Sequence, residues 1–429
     1  MSHTIELRLA ASKALERMRA RGFAEAQVTA VSSRQDEVNL ALNEASLLRS
    51  TDATRMALVG IVDRRRAATE ITDLRDESVQ GGIEALYAAA QAAPRDDANK
   101  VSSGQRTRIV QGPQDCDVEL LAGKARELLE FCRRETPKVT IGEAVVAHMF
   151  TRSHTVTTGG SDLETHVGHF TMSLFGTARE GTKVSGFAET GGTSNELAAR
   201  EASEYFGIGE LLRNLQRSIE TRPVEGKFVG DVVLTPEAVG DFLKWFLGQL
   251  CDAPLISGSS LYRDKVGQAV ASGLITLRSR FDAPGVAAVT GDAFVAGPVT
   301  ILQQGRLEAL MPSLYGSLKT GVPHTPTAPS GWEMPAGDTP REKMVSDTAR
   351  GALVGRLSMG NPAPNGDFAG VIKSAFAIDG GKVGHALSET MISGNVAQML
   401  KDVLAVSRER LDTGTLLLPW VRIGGLHFS

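Results

Sequence analysis

The side chains able to carry chemistry are few and scattered. His154, His166 and His169 form the densest imidazole group among eight histidines, and three imidazoles are a familiar donor set for zinc. Their segment reads as strands, where positions three apart point to opposite faces. His166 and His169 are therefore expected to be ordinary strand-face histidines, not joint ligands of one metal. Cys251 follows a strongly apolar stretch and is expected to be a buried, inert thiol; as a nucleophile it would need an activating base that the sequence does not identify. Thr190-Gly191-Gly192-Thr193 precedes an expected helix, and its backbone N–H groups would suit an anion, although helix capping accounts for the same residues. Lys244, Trp245 and Gln249 sit in the run F-L-K-W-F-L-G-Q, residues 242–249. Taken alone, they read as the edge of a core helix, with the lysine reaching solvent and the indole filling space. The chain contains no G-x-S-x-G, P-loop, G-x-G-x-x-G or H-E-x-x-H, so the common nucleophile, nucleotide and zincin templates are absent.

The elements that must position these residues follow from periodicity. Leu7, Ala11, Ala14, Leu15 and Met18 predict a helix over 4–21, and Val79, Ile83, Leu86 and Ala90 predict a second that Pro94 stops. Between them, Val28 and Ala30 alternate with polar neighbours, and 56–62 and 67–71 flank the turn-like Asp63-Arg64-Arg65-Arg66, predicting a meander. Residues 95–115 read as a connector. Val118, Leu121, Ala125, Leu128 and Cys132 predict a third helix, with Cys132 in the core. Antiparallel strands are expected from 139 to 188, broken at Gly159–Asp162 and Gly181. Thr193-Ser194-Asn195-Glu196 has the form of a capping box, and a helical region is expected from there to about Leu215.

A junction is expected at 221–226, before a strand over 228–234. Thr235 then serves as N-cap with Pro236 at the first helical position, and Val239, Phe242, Leu243, Phe246, Leu247 and Leu250 form a broad buried stripe. Residues 321–343 hold five of the 17 prolines and predict a long surface loop, a place where function concentrates. The strands 371–378 and 383–387 flank Asp379-Gly380-Gly381-Lys382, a hairpin signal. A helix carrying Val396, Leu400, Val403 and Leu404 on one face follows, then a strand over 416–423. The fold class is α+β: a mixed α/β N-terminal half with antiparallel strands and flanking helices, then a β-rich C-terminal domain. The expected units are 1–95, 96–220 and 221–429.

Composition narrows the function classes. With 429 residues and 42% hydrophobic content the chain is globular. Its 46 basic against 50 acidic residues and net charge of -4 make direct contact with nucleic acid a poor expectation. An opening segment without an uninterrupted apolar core, and no apolar run of membrane-spanning length, predict a protein that is neither exported nor membrane-embedded. Three cysteines, Cys116, Cys132 and Cys251, fit a reducing compartment, so the expected location is cytoplasmic.

Four blocks in order carry a resemblance to a known family: S-G-S-S-L-Y-R-D-K-V-G-Q-A-V-A-S (257–272), N-G-D-F-A-G-V-I-K-S-A-F (365–376), G-K-V-G-H-A-L-S-E-T-M-I-S-G-N-V-A-Q-M-L (381–400) and the terminal L-L-L-P-W-V-R-I-G-G-L. The chain resembles the TldD/PmbA family, more closely its TldE (PmbA) branch, formerly described as modulators of DNA gyrase. The resemblance implies a cytosolic zinc metallopeptidase built from TldD-like and TldE-like subunits. In the TldD-like subunit an H-E-x-x-x-H supplies two histidine ligands and a general-base glutamate, and a later cysteine is the third ligand.

At the matching positions this chain has Lys244, Trp245 and Gln249, and no cysteine follows Cys251. A protonated lysine offers no lone pair, tryptophan cannot act as a base, and a glutamine oxygen is a poor substitute for imidazole. These three are the degenerate metal-site positions; no catalytic, cofactor or metal-binding residue is assigned in this chain. Because residues five apart on a regular helix lie roughly 140° apart, Gly248 is expected to preserve a local distortion of the family's helix. The expected role is a non-catalytic subunit paired with a zinc-bearing TldD-like partner, with itself, or both, enclosing an unfolded peptide. The alternatives are a homo-oligomeric peptide-binding or scaffold protein, and a hydrolase using another site such as Cys251 or the histidines.

Overall fold

The computed structural model describes residues 2–328, 330–388 and 390–429, with side chains from Glu6 onward; Pro329 of the proline-rich segment and Glu389 of the third family-like block lie outside them. The first helix, α1 (Ser2–Arg21), buries the predicted stripe Leu7, Ala11, Ala14, Leu15 and Met18. It packs with α2 (Asp76–Ala92) on the strands β1 (Glu25–Ala41), β2 (Glu44–Val62) and β3 (Arg65–Ile71). The β2–β3 turn places Asp63 and Arg64 at φ of 50° and 62°, the two-residue geometry whose twist matches that of the flanking strands. Then come β4 (Arg106–Gln111), α3 (Val118–Glu135), β5 (Val139–Thr157) and β6 (Asp162–Glu180).

These strands form one eight-stranded sheet with main order β3-β2-β1-β5-β6-β4, so strands of residues 1–95 and 96–220 are hydrogen-bonded together. Along β1, Ala26, Val28 and Ala30 belong to the cluster under α1 and α2, while Val38 and Leu40 belong to a second cluster under α3 and α4 (Ile208–Arg217). All five positions share one parity and therefore one face of the strand. The two helical layers thus lie in tandem along the same long strands.

The C-terminal domain closes on itself. The strand Phe228–Leu234 pairs in parallel with Arg350–Ser358, which pairs with Asp367–Asp379, which pairs with Met391–Asn395. That strand pairs with Leu416–Phe428, which returns to Phe228–Leu234. A closed ring leaves these strands no free edge along the paired stretch. The hairpin at Asp379 turns on Gly380 and Gly381, with φ of 52° and 75°, and α5 (Pro236–Gln249) lies against Arg350–Ser358 and Leu416–Phe428. The α+β class, with a mixed N-terminal half and a β-rich C-terminal domain, is the architecture observed.

Three local expectations are corrected. The connector over 95–115 contains β4, an edge strand parallel to β6 whose alternating half-exposed pattern carries too little apolar signal to announce itself. Thr193–Glu196 caps nothing: Ala188–Ser194 is a strand paired with β6, and the helix starts only at Ile208, behind Gly207 in the left-handed region. The late helix ends at Lys401, and Val403 and Leu404 open the strand Val403–Asp412. Their apolar spacing suited either structure, and tertiary pairing with Leu416–Phe428 decided it.

Candidate functional site

Helix α5 is built from its inward stripe. Val239, Phe242, Leu243, Phe246 and Leu250 are all within 2% of complete burial, in the largest apolar cluster of the molecule. Burying side chains of this size stabilises by about 1.5–3 kcal/mol each, which fixes the rotation of the helix about its axis. Residues of the other face then point outward. Lys244 and Gly248 are exposed, and both line a cleft of about 1140 Å³.

That cleft runs between the two halves of the chain. Gln27, Arg66 and Lys100 border it from the N-terminal half; Lys244, Cys251 and His324 border it from the C-terminal domain. Gln27 Nε2 donates to the Gly291 carbonyl at 3.0 Å. Tyr315 Oη and Lys319 Nζ, on the short helix Leu314–Thr320, both donate to Asp96 at 2.9 Å. The Ala98 N–H, then Lys319 and Tyr315, hold the Asp96 carboxyl below its ordinary range. The proline-rich segment contributes His324 to Ala328, Ser330 and Gly331 to the lining, so the expected long loop is a wall of this cleft. His324 Nε2 stands 3.4 Å from Asp292 and edge-on to Phe294.

Lys244, Trp245 and Gln249, the positions expected to be a degenerate metal site, do not converge. Lys244 faces the cleft, whereas Trp245 is half-buried and edge-to-face with Tyr262 at 6.4 Å between ring centroids. Gln249 Oε1 accepts the Leu261 N–H at 3.2 Å, and its carbonyl accepts the Ser260 hydroxyl at 2.7 Å. Its amide therefore staples the end of α5 to the S-G-S-S-L-Y turn. An ammonium, an indole and an engaged amide do not fit zinc. The helix is α throughout, and a Cβ at Gly248 would meet nothing within 4 Å. The expected distortion is absent.

The other sequence candidates are dispersed as well. Cys251 is exposed at the border of the cleft and not buried as expected; its Sγ lies 3.4 Å from the Leu247 carbonyl, and the loss of hydration around it, followed by Asp252, pushes its thiol up. That is the opposite of an activated nucleophile. His154 is buried beside Asp162 at 3.0 Å, His166 lies 3.1 Å from Glu164, and His169 approaches the backbone of Gly285. Burial is the leading cause that lowers the proton affinity of all three. Gly191 and Gly192 serve close packing: a Cβ on Gly192 would come within 2.5 Å of the Thr413 carbonyl.

One grouping was missed by the sequence reading. Asp36 on β1 and His148 on β5 are register partners, and with Cys116, just ahead of α3, they bring one donor atom each to within 4.8 Å of one another. A signal existed: Asp36 shares the parity of the apolar core positions of β1, so a carboxylate stands where the pattern calls for a hydrophobic residue.

The comparisons with known proteins agree with this architecture. Residues 226–429 match the model for the PmbA/TldA metallopeptidase C-terminal domain. A protein of Methanothermobacter thermautotrophicus named a metalloprotease is 27% identical over 276 residues, 59% of this chain and 60% of that protein's length. The TldE structure from Thermococcus kodakarensis superposes with a TM-score of 0.83 at 18% identity, covering 98% of this chain and all of the other. A Bacteroides thetaiotaomicron structure named a candidate modulator of DNA gyrase gives 0.87 at 19% identity, covering 99% of each chain. At these identities the structural matches speak for the fold. What they give for this chain is the fold of the TldE structure, with a C-terminal domain, residues 226–429, similar to the PmbA/TldA metallopeptidase C-terminal domain.

Proposed function

We propose that this chain is a non-catalytic, TldE-like subunit of a cytoplasmic zinc metallopeptidase, which pairs with a zinc-bearing TldD-like partner and encloses an unfolded peptide. The observation that carries the reading is α5 itself: it keeps its place on the barrel and borders the cleft, while Lys244, Trp245 and Gln249 supply no metal ligand set. The cleft volume of about 1140 Å³ exceeds the roughly 300–1,000 Å³ of small-molecule sites, which favours an extended chain as occupant. Such a chain would gain main-chain hydrogen bonds by adding as a strand, with little sequence preference. The three free cysteines are consistent with a reducing compartment.

The test is a peptidase assay on unfolded peptides with the purified chain alone, with a TldD-like partner alone, and with both. Turnover only where the partner is present, raised by adding this chain, is the expected result. Turnover by the lone chain overturns the reading, whatever metal it holds.

A further inference from the structure

We propose that Asp36, Cys116 and His148 form a binding site for a divalent transition-metal ion of the zinc class, in the N-terminal half and apart from the cleft. None of the three lines that cleft. Asp36 and His148 are 2% and 1% exposed, and they face the core side of β1 and β5, between the apolar cluster under α1 and α2 and the cluster under α3 and α4. A buried carboxylate and imidazole at this position take the place of apolar packing, which is costly unless the polar groups are engaged.

The engagement present looks like the outer support of a metal site. His148 Nε2 lies 2.9 Å from the Pro113 carbonyl; it can only donate there, which leaves the Nδ1 lone pair as the one the ring can offer. Asp36 accepts from Arg34 Nε at 3.0 Å, from Arg34 Nη2 at 3.2 Å and from the Ser50 hydroxyl. These bonds orient the carboxylate and fill three of its roughly four acceptor positions. Cys116 is the half-buried member, so the site has an entry path from solvent.

The donor set selects the ion. Thiolate and imidazole favour zinc-class cations over calcium or magnesium, which want oxygen. Zinc bonds of about 2.0–2.3 Å in tetrahedral geometry put neighbouring ligand atoms about 3.3–3.8 Å apart. The present limit of 4.8 Å therefore closes by about 1 Å on binding. Three protein ligands leave a fourth position for water.

The experiment uses the full chain, stripped with chelator and titrated with Co²⁺ alone. One equivalent and a thiolate-to-cobalt charge-transfer band are expected. Cys116→Ser should abolish the band and His148→Asn should weaken binding at least tenfold, while Cys251→Ser changes neither. A second measurement needs no variant: Zn²⁺ should slow alkylation of Cys116, read by mass spectrometry, and leave Cys251 unprotected. Absence of the thiolate band, its persistence in Cys116→Ser, or unprotected Cys116 each overturns the proposal. The outcome is independent of peptidase activity and so of the subunit reading above.

Discussion

Gln249 has a structural task at the end of α5. Its side-chain oxygen satisfies the Leu261 N–H, and removing the acceptor leaves that donor to find water or go unpaired. Gln249→Ala should lower stability by about 1 kcal/mol in denaturant titrations, with Gln249→Glu closer to the parent because it keeps an acceptor. Glu237, in the first turn of α5, behaves differently. Burial raises the proton affinity of its carboxyl above the ordinary 4.5, with Glu210 and Asp241 adding to the shift and bonds from its own backbone and Thr235 opposing it. A raised acid pKa means that the unfolded chain ionises first as pH climbs, so stability falls with pH from about 4.5 upward until the folded group has also ionised. Glu237→Gln should therefore leave the melting temperature unchanged near pH 4 and raise it at pH 7; equal shifts at both values would contradict the assignment.

At the scale of elements, the helix Leu314–Thr320 and the proline-rich segment after it form a strap over the cleft. The strap is anchored to the N-terminal half by Tyr315 and Lys319 on Asp96. Partly exposed ion pairs stabilise only modestly, about 0.2–1 kcal/mol, so Asp96→Ala should leave global unfolding nearly unchanged. Local opening is another matter for residues 321–327, where no side chain is fully buried, the apolar anchors of the segment coming only at Ala328, Trp332 and Met334. Limited proteolysis within residues 321–327 should accelerate several-fold in Asp96→Ala, and an unchanged cleavage rate would show that the strap is held by other contacts.

The whole molecule is tied along a seam where backbones touch. Gly414, at φ of 81°, sits so close to residue 193 that a Cβ would come within 2.1 Å of the Thr193 carbonyl. The Thr193 N–H also donates to the Thr413 carbonyl at 3.0 Å, and its hydroxyl donates to the Pro284 carbonyl at 2.7 Å. Arg341 with Glu210 and Arg356 with Glu189 add ion pairs between the halves. Gly414→Ala combines a left-handed backbone with overpacking and should cost about 3 kcal/mol. Differential scanning calorimetry is expected to show one transition for the parent and two for Gly414→Ala as the halves uncouple; one transition in the variant would contradict this role for the seam.

Much of the fold was legible in the chain. The stripes of α1, α2, α3 and α5 and the Asp379 hairpin follow from side-chain periodicity and turn chemistry, which act locally and leave their mark in neighbouring residues. That Lys244, Trp245 and Gln249 make a poor donor set for zinc was legible too, because donor chemistry belongs to the residue type. Tertiary structure alone decided that β4 joins the sheet, that Thr193 marks a seam and not a cap, and that Lys244 faces a cleft while Trp245 and Gln249 turn away. It also decided that Asp36, Cys116 and His148 meet. Such outcomes depend on register and contact between segments far apart in the chain, and no local pattern encodes the distance between two strands that have yet to pair.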